Sequence, residues 1–333
     1  PDLDRDAALG HAEQGQQFGD AQRCLEAARF AIQIQLHAHS VALQPAFDTG
    51  AAVKIAILSR QPGVYGNRRL LAAAAARGWQ AEVVDPLAAH ADAMLTRLAG
   101  FDAVLPRYSP YWQAQVHGVL LQLQQRGVRS LNHADAIALA RSLPASLRVL
   151  SAAGLPMPES VYVDSAPRDA DWLARLPFGL PVVCKRANGS QGRGVTLHRD
   201  MHDLTACTSR LLAGGEPFLL QAFIAEAEGR DLRLLVLDGC VLAAMQRIAP
   251  PGEFRANVHL GGRAVAFVPG ATECELAIAA ARAMGLRVAG VDIIHSRRGP
   301  LLLEANASPG FEALEAVSGL DVAGKLLDLL AAA

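Results

Sequence analysis

Several features are missing from this chain of 333 residues, and each absence narrows what it does. Hydrophobic residues make up 51% of it, yet no run approaches the ~20 uninterrupted apolar residues of a membrane span, so no membrane association is expected. The opening stretch PDLDRDAALGHAEQ is acidic and polar, which does not suit a secretory signal. Five cysteines (Cys24, Cys184, Cys207, Cys240, Cys274) fall at scattered spacings that fit neither a disulfide framework nor a metal site. Reduced thiols in a cytoplasmic protein are the expectation. A formal net charge of −1 gives no general attraction to nucleic acid, and no direct contact with it is expected. The length suffices for two or three structural units.

What is present concentrates in VAGVDIIHSRRGPLLLEANASPGFEALE, residues 288–315. Two apolar runs flank a three-residue loop, Arg297-Arg298-Gly299, whose glycine suits a left-handed position, and this predicts a hairpin. In that register Ser296 faces Pro300, Ile294 faces Leu302 and Asp292 faces Glu304. Alternation with period two brings Asp292, Glu304 and Asn306 out on one surface. Two opposed carboxylates repel unless a cation or proton lies between them. With an amide oxygen they form a hard ligand set suited to Mg²⁺ or Mn²⁺ that also bridges phosphates. A solvated face carrying two acids is the competing reading.

Residues 1–52 are Ala/Gln-rich with a weak helical period and read as a helical or partly ordered extension. At Val53 the pattern changes to strand–helix alternation: VKIAILS, a helix over 67–77, AEVVDP, FDAVLPR and a helix over 111–126. That order implies a small parallel α/β unit, with ligands expected at the strand carboxyl ends. Arg60 and Arg107 lie there and are candidates for an anionic substrate, or ordinary exposed arginines. A helical pattern follows over 132–153. The strand LPVVCKRA then runs into Asn188-Gly189-Ser190-Gln191-Gly192-Arg193-Gly194, glycine-rich enough to turn backbone N–H groups toward phosphate, with Lys185 as a nearby fixed charge. A plain hairpin uses the same residues. Further on, DLRLLVL and CVLAAMQRI form a hairpin that sets Asp231 and Arg233 on one face, with Arg247 late in the second strand. Arg255 and Asn257 lie in the loop EFRANVHLGG. Arginines converging on one sheet face suit a transferring phosphate. Thr272 and Glu275 suggest a capping box, and Asp321 an N-cap for the last helix.

These segments together resemble the ATP-grasp carboxylate–amine ligases, and among them the RimK group, which adds glutamate to the C-terminus of small-subunit ribosomal protein six. The resemblance is carried by KIAILSR at 54–60, Lys185 with NGSQGRGV, EAEGRDLRLLV at 226–236, EFRANVHLGG at 253–262, VAGVDI at 288–293 and LEANASPGFEALE at 303–315. It implies an α/β pre-ATP-grasp domain over 53–147, and over 148–333 an α+β ATP-grasp domain with lobes 148–220 and 221–333. By this resemblance Asp292, Glu304 and Asn306 hold two ions of Mg²⁺ or Mn²⁺. Lys185 and the flap (Gly189, Ser190, Gln191, Gly192) cover the ATP phosphates, and Ala222-Phe223 bind adenine through their backbone. Asp231, Arg255, Ala256 and Asn257 line the nucleotide site, with Arg247 and Arg255 as the catalytic arginines. The implied partners are ATP, L-glutamate and a ribosomal protein C-terminus, and the implied assembly is a homodimer or homotetramer. Two departures stand out. Ser142-Leu143 replaces the family's usual Asp-Lys, leaving Arg141 or Arg148 to substitute, and Ala222 replaces a common Glu. A small-molecule acceptor, or a nucleotide-binding regulatory module, remains open beside the ligase reading. A dinucleotide-dependent oxidoreductase lacks the glycine fingerprint it needs.

Overall fold

Ile55, Ala56, Ile57 and Leu58 are all buried, as a strand covered on both faces requires. They belong to β1 (Lys54–Leu58), which lies between β2 (Gln80–Val84) and β3 (Ala103–Pro106) in a parallel sheet. A computed structural model describes residues 53–167, 171–187, 189, 192–227 and 229–332. The extension expected over 1–52, and Ser190 and Gln191 of the flap, lie outside the described residues. Helices α1 (Tyr65–Ala75), α2 (Ala91–Leu98) and α3 (Gln113–Gln125) complete the first unit. The helical stretch expected over 132–153 is two helices, α4 (Ala134–Arg141) and α5 (Leu143–Ala152). Pro144 explains the break: without an N–H, and with its ring against the carbonyl four residues back, it cannot continue a helix.

The second sheet is antiparallel, in the order β4 (Ser160–Val163), β7 (Phe218–Ala222), β5 (Val182–Arg186), β6 (Val195–His198). Helix α6 (Met201–Ala213) covers it, and its core, including Val163, Val182, Leu204 and Phe218, is drawn from this segment alone. The third sheet runs β10-β9-β8-β11-β12, with β8 (Arg230–Leu237), β9 (Cys240–Ile248), β10 (Arg263–Ala266), β11 (Val288–Ser296) and β12 (Gly299–Asn306). Helix α7 (Ala271–Ala283) packs on one face, burying Leu276, Ala277 and Ala280 against Leu234, Val291 and Ile293. This helix begins after Gly270 with no side-chain cap, so the capping box expected at Thr272 and Glu275 does not form. Helix α8 (Glu312–Ser318) precedes α9 (Val322–Ala331), where Asp321 Oδ1 accepts from the Gly324 N–H at 3.0 Å, the cap expected.

The other face of the third sheet shares a core with the first unit. Leu235, Met245 and Val288 pack with Ile55, Leu70, Phe311 and Leu327. Followed along β8, that face passes from Leu235 in this core to Arg233 and Asp231 at the site, because residues two apart share a face. The four described cysteines are free thiols. No helix among the described residues is long and apolar enough to cross a membrane.

Candidate functional site

The β11–β12 hairpin brings Asp292 opposite Glu304, by a route that differs from the expected one. Ser296 pairs with Gly299, not Pro300, and Ile294 with Leu301, not Leu302, so the turn is one residue tighter. A register shift between Asp292 and Ile293 then leaves Leu303 as an extra residue, and Asp292 meets Glu304 after all. The bulge has a packing reason. In an unbroken register Leu302 would share Glu304's face and point into the site, whereas paired with Ile293 it is fully buried against α7. Asn306, two residues beyond Glu304, donates from Nδ2 to Glu304 Oε1 at 2.8 Å.

The acids lie within a row of charges spread over three strands. Asp292 pairs across β8 with Arg233, and Asp231 across β9 with Arg247. Arg233 grips Asp292 in a two-pronged ion pair, Nε to Oδ1 and Nη2 to Oδ2, the latter at 2.7 Å. Arg247 donates to both oxygens of Asp231 at 2.6 and 2.9 Å and reaches Asp292 Oδ2 at 2.8 Å. Burial opposes charge on Asp292, but Arg233 and Arg247 outweigh it and hold the carboxyl well below the usual range. Burial also works against the Arg247 guanidinium, and Asp292 and Asp231 overcome it and raise its pKa. Glu304 differs: burial and then Asp292 push its carboxyl above the ordinary range, although the residue is open to solvent. It sits in a cleft walled by protein, where water reaches the carboxylate but screens it poorly. A divalent cation would relieve that strain. The donor set of two carboxylates and an amide, all oxygen, fits Mg²⁺ or Mn²⁺.

Lys185 belongs to the same cleft. Burial lowers its pKa, while Glu304, Asp292 and Asp231 act to raise it, which brings the ammonium within electrostatic reach of all three acids. The glycine-rich loop joins β5 to β6 as a flap. A side chain at Gly189 would run into the Arg193 carbonyl, which fixes glycine at this fold-back. Gly192, at φ +76°, lies against Asn257. Arg255 is a clasp on this flap: Nη1 donates to the carbonyls of Gly192 at 2.9 Å and Val195 at 3.3 Å. Its Nε and Nη2 bind Glu253 at 3.0 and 2.6 Å. In the connector, the N–H of Ala222 donates to Glu159 and that of Phe223 to Pro181, so these two donors are spent within the fold. For the backbone contact with adenine expected from sequence, this leaves the two carbonyls. Phe223 stacks edge-on against Phe254, closing the connector onto the Arg255 loop, where Ala256 is buried.

The remaining candidates separate. Arg141 donates to Gln113 at 2.6 Å and to the Tyr108 carbonyl at 2.9 Å and lies over the Tyr108 ring, so it serves the first unit rather than replacing the lysine absent at Leu143. Arg148 is exposed on α5. Arg60 pairs with Asp85 at 3.3 Å. Arg107 donates to the Pro309 carbonyl at 2.8 Å and lies over Phe311, beside the loop that follows Asn306. The sequence placed Arg233 among the arginines converging on a phosphate, but not its ion pair with Asp292, which depends on the pairing of β8 with β11.

A family model described as RimK-like ATP-grasp domain matches residues 140–330, and one described as RimK pre-ATP-grasp domain matches residues 53–137. A curated relative from Aeromonas salmonicida, named probable alpha-L-glutamate ligase, is 41% identical over 287 residues, covering 84% of this chain and 96% of its own. Among solved structures, an ATP-grasp RimK domain protein from Sphaerobacter thermophilus aligns with a TM-score of 0.65 and 26% identity, over 84% of this chain and 99% of its own. The ATP-grasp ligase PsnB complexed with a minimal precursor gives 0.64 and 23%, over 84% and 98%.

Proposed function

Since the chain belongs to the RimK-like ATP-grasp family and is an ATP-dependent ligase, we propose that it joins L-glutamate through its amine to a carboxylate at the C-terminus of a protein, a ribosomal protein of the small subunit being the leading acceptor. The acceptor carboxylate attacks the γ-phosphorus of ATP, giving an acyl phosphate and ADP. The glutamate amine then attacks the acyl carbon, the C–O bond to phosphate breaks, the amine loses a proton, and amide and phosphate are released. Positioning and charge neutralisation suffice for this, and no protein nucleophile is needed.

The observation that carries this reading is the opposed pair Asp292 and Glu304, with Lys185 in electrostatic reach and Arg247 beside them. Asp292, Glu304 and Asn306 would hold the divalent cation, which when bound neutralises phosphate charge as a Lewis acid. Lys185 and Arg247 steady the transferring phosphate, and the flap at Gly189 and Gly192, clasped by Arg255, keeps water from the acyl phosphate. Asp231 orients Arg247, while Ala222, Phe223, Ala256 and Asn257 form the nucleotide wall. We divide the chain into a pre-ATP-grasp part, 53–147, and an ATP-grasp part, 148–333. The glutamate-ligase name of the Aeromonas relative supports glutamate as the amine, and the precursor peptide complexed with PsnB in another structure supports a peptide-like acceptor.

The test is incubation with ATP, Mg²⁺ and labelled glutamate, with and without small-subunit ribosomal proteins. Label entering a ribosomal protein with matching ADP release is expected. Label confined to small molecules would overturn the protein acceptor, and absence of any substrate-dependent ADP would overturn glutamate ligation itself.

A further inference from the structure

The cation site proposed above has a guard. Both oxygens of Asp292 are taken by guanidinium nitrogens: Arg233 covers Oδ1 and Oδ2 together, and Arg247 covers Oδ2. Three carboxylates (Asp231, Asp292, Glu304) meet three cations (Lys185, Arg233, Arg247), so the ligand-free cleft is already neutral. A cation at ~2.1 Å from an Asp292 oxygen, the Mg²⁺ distance, would lie against a like-charged guanidinium. Arg233 is also built into its place. A side chain at Gly290 would come within 3.3 Å of Arg233 Nη1 and 2.6 Å of Pro309 Cβ, so the glycine leaves the groove in which the guanidinium lies. The arginine is 11% exposed and Asp292 4%, measured on the side chains, so the pair is shielded from competing water.

Resting on the metal-site reading, we propose that Arg233 is a gate on Asp292 that makes divalent-cation binding conditional on a bound polyphosphate. Phosphate oxygens offer guanidinium a two-pronged partner equivalent to the carboxylate. As Arg233 turns to them, Asp292 is released to the cation, and Glu304 opposite completes the pair. Arg247 keeps Asp231 as a partner throughout, whereas among the described residues the direct ion pair of Arg233 is with Asp292. Arg233 thus acts as a positioning residue, and it sets the order of assembly: nucleotide phosphates first or together with the cation, never the cation alone.

The experiment is Mn²⁺ binding to the full chain, followed by the electron paramagnetic resonance signal of free Mn²⁺, with and without a non-hydrolysable ATP analogue. Wild type without nucleotide is expected to bind weakly. Arg233→Met without nucleotide is expected to bind Mn²⁺ about tenfold or more tightly than wild type, the ordinary size of a coupling between ligands. Arg233→Lys, which keeps one charge but loses the fork, should fall between them, and it carries the comparison if the methionine variant fails to melt cooperatively. Variants that bind Mn²⁺ no more tightly than wild type in the absence of nucleotide overturn the gate and leave the metal site standing. Glu304→Gln that leaves Mn²⁺ affinity unchanged in the presence of the analogue overturns the metal site itself, and the gate with it.

Discussion

Asp292 is 2% exposed and accepts from two guanidinium groups, whereas Glu304 opposite it is open to solvent and receives Asn306. Their removal should therefore separate stability from function. Asp292→Asn leaves Arg233 short of a buried counter-charge, and breaking such a pair costs about 3–5 kcal/mol. Because Asp231 still neutralises Arg247, a loss near the lower end is expected by urea denaturation, together with loss of ligase turnover. Glu304→Gln has the opposite signature. Its carboxyl is held above the usual range, so the ionised form detracts from the ligand-free fold at neutral pH, and the amide should leave stability unchanged or slightly raised while activity is lost. Lys185→Met belongs with Glu304: burial lowers the lysine's pKa, so its charge is held against the fold's preference. Neutral or higher stability is expected, with an ATP KM raised about tenfold or more, the effect of losing one charge-assisted phosphate contact. A stability loss in Glu304→Gln or Lys185→Met as large as that of Asp292→Asn would contradict this assignment of roles.

Among the elements, the flap and the Arg255 loop test each other. Arg255→Ala removes two donors to flap carbonyls without opening any core, so global stability should barely move. Hydrogen bonds from a charged group contribute about 1.5–3 kcal/mol, so flap amides around 186–195 should exchange with deuterium roughly tenfold faster or more, read by mass spectrometry. The clasp also has a calculable pH window. Hydrogen bonds from Arg255 depress the Glu253 carboxyl to about 2 from 4.5, so its contribution is complete above the unfolded value and fades only as pH falls toward the folded one. Corrected protection of the flap should accordingly be flat from neutral pH down to about 5; a decline across that range would mean another group holds the flap. The hairpin shows how much of such detail can be read in sequence. Alternation and Gly299 put Asp292 opposite Glu304 because a turn read one residue too long offset the missed bulge; Leu301-Leu302-Leu303 carry no parity signal, so the bulge that sends Leu302 into the core left no trace. The pairing of Arg233 with Asp292 was hidden for a different reason: the two are 59 residues apart, and only the β8–β11 register joins them.

At the scale of the whole molecule, two of the four cores among the described residues bear on the cooperative behaviour. One joins Ile55 and Leu70 near the beginning of the described chain to Leu235 in the third sheet and to Phe311 and Leu327 near its end, and is reinforced by Arg77–Asp328 and Arg69–Glu315 ion pairs. The other, under the second sheet, contains only residues from the flap-bearing lobe, Leu204 and Phe218 among them. Sequence order could not show this, since the first and third sheets are far apart in the chain yet share a core, while the second, inserted between them, does not join it. Unfolding should then proceed in two parts. Leu204 and Leu327 are both fully buried, and truncation of either to alanine costs about 2–5 kcal/mol locally. Leu204→Ala should lower only the transition of the flap lobe in calorimetry and weaken ATP-analogue binding, leaving the larger transition where it was. Leu327→Ala should lower the larger transition, which spans the first and third sheets. At the proposed site a saturating ATP analogue with Mg²⁺ would touch both parts, so it should draw the two transitions together in wild type and recover part of the loss in Leu204→Ala. One transition that shifts equally in both variants would show that the lobes unfold as a unit and that the shared core does not set the boundary.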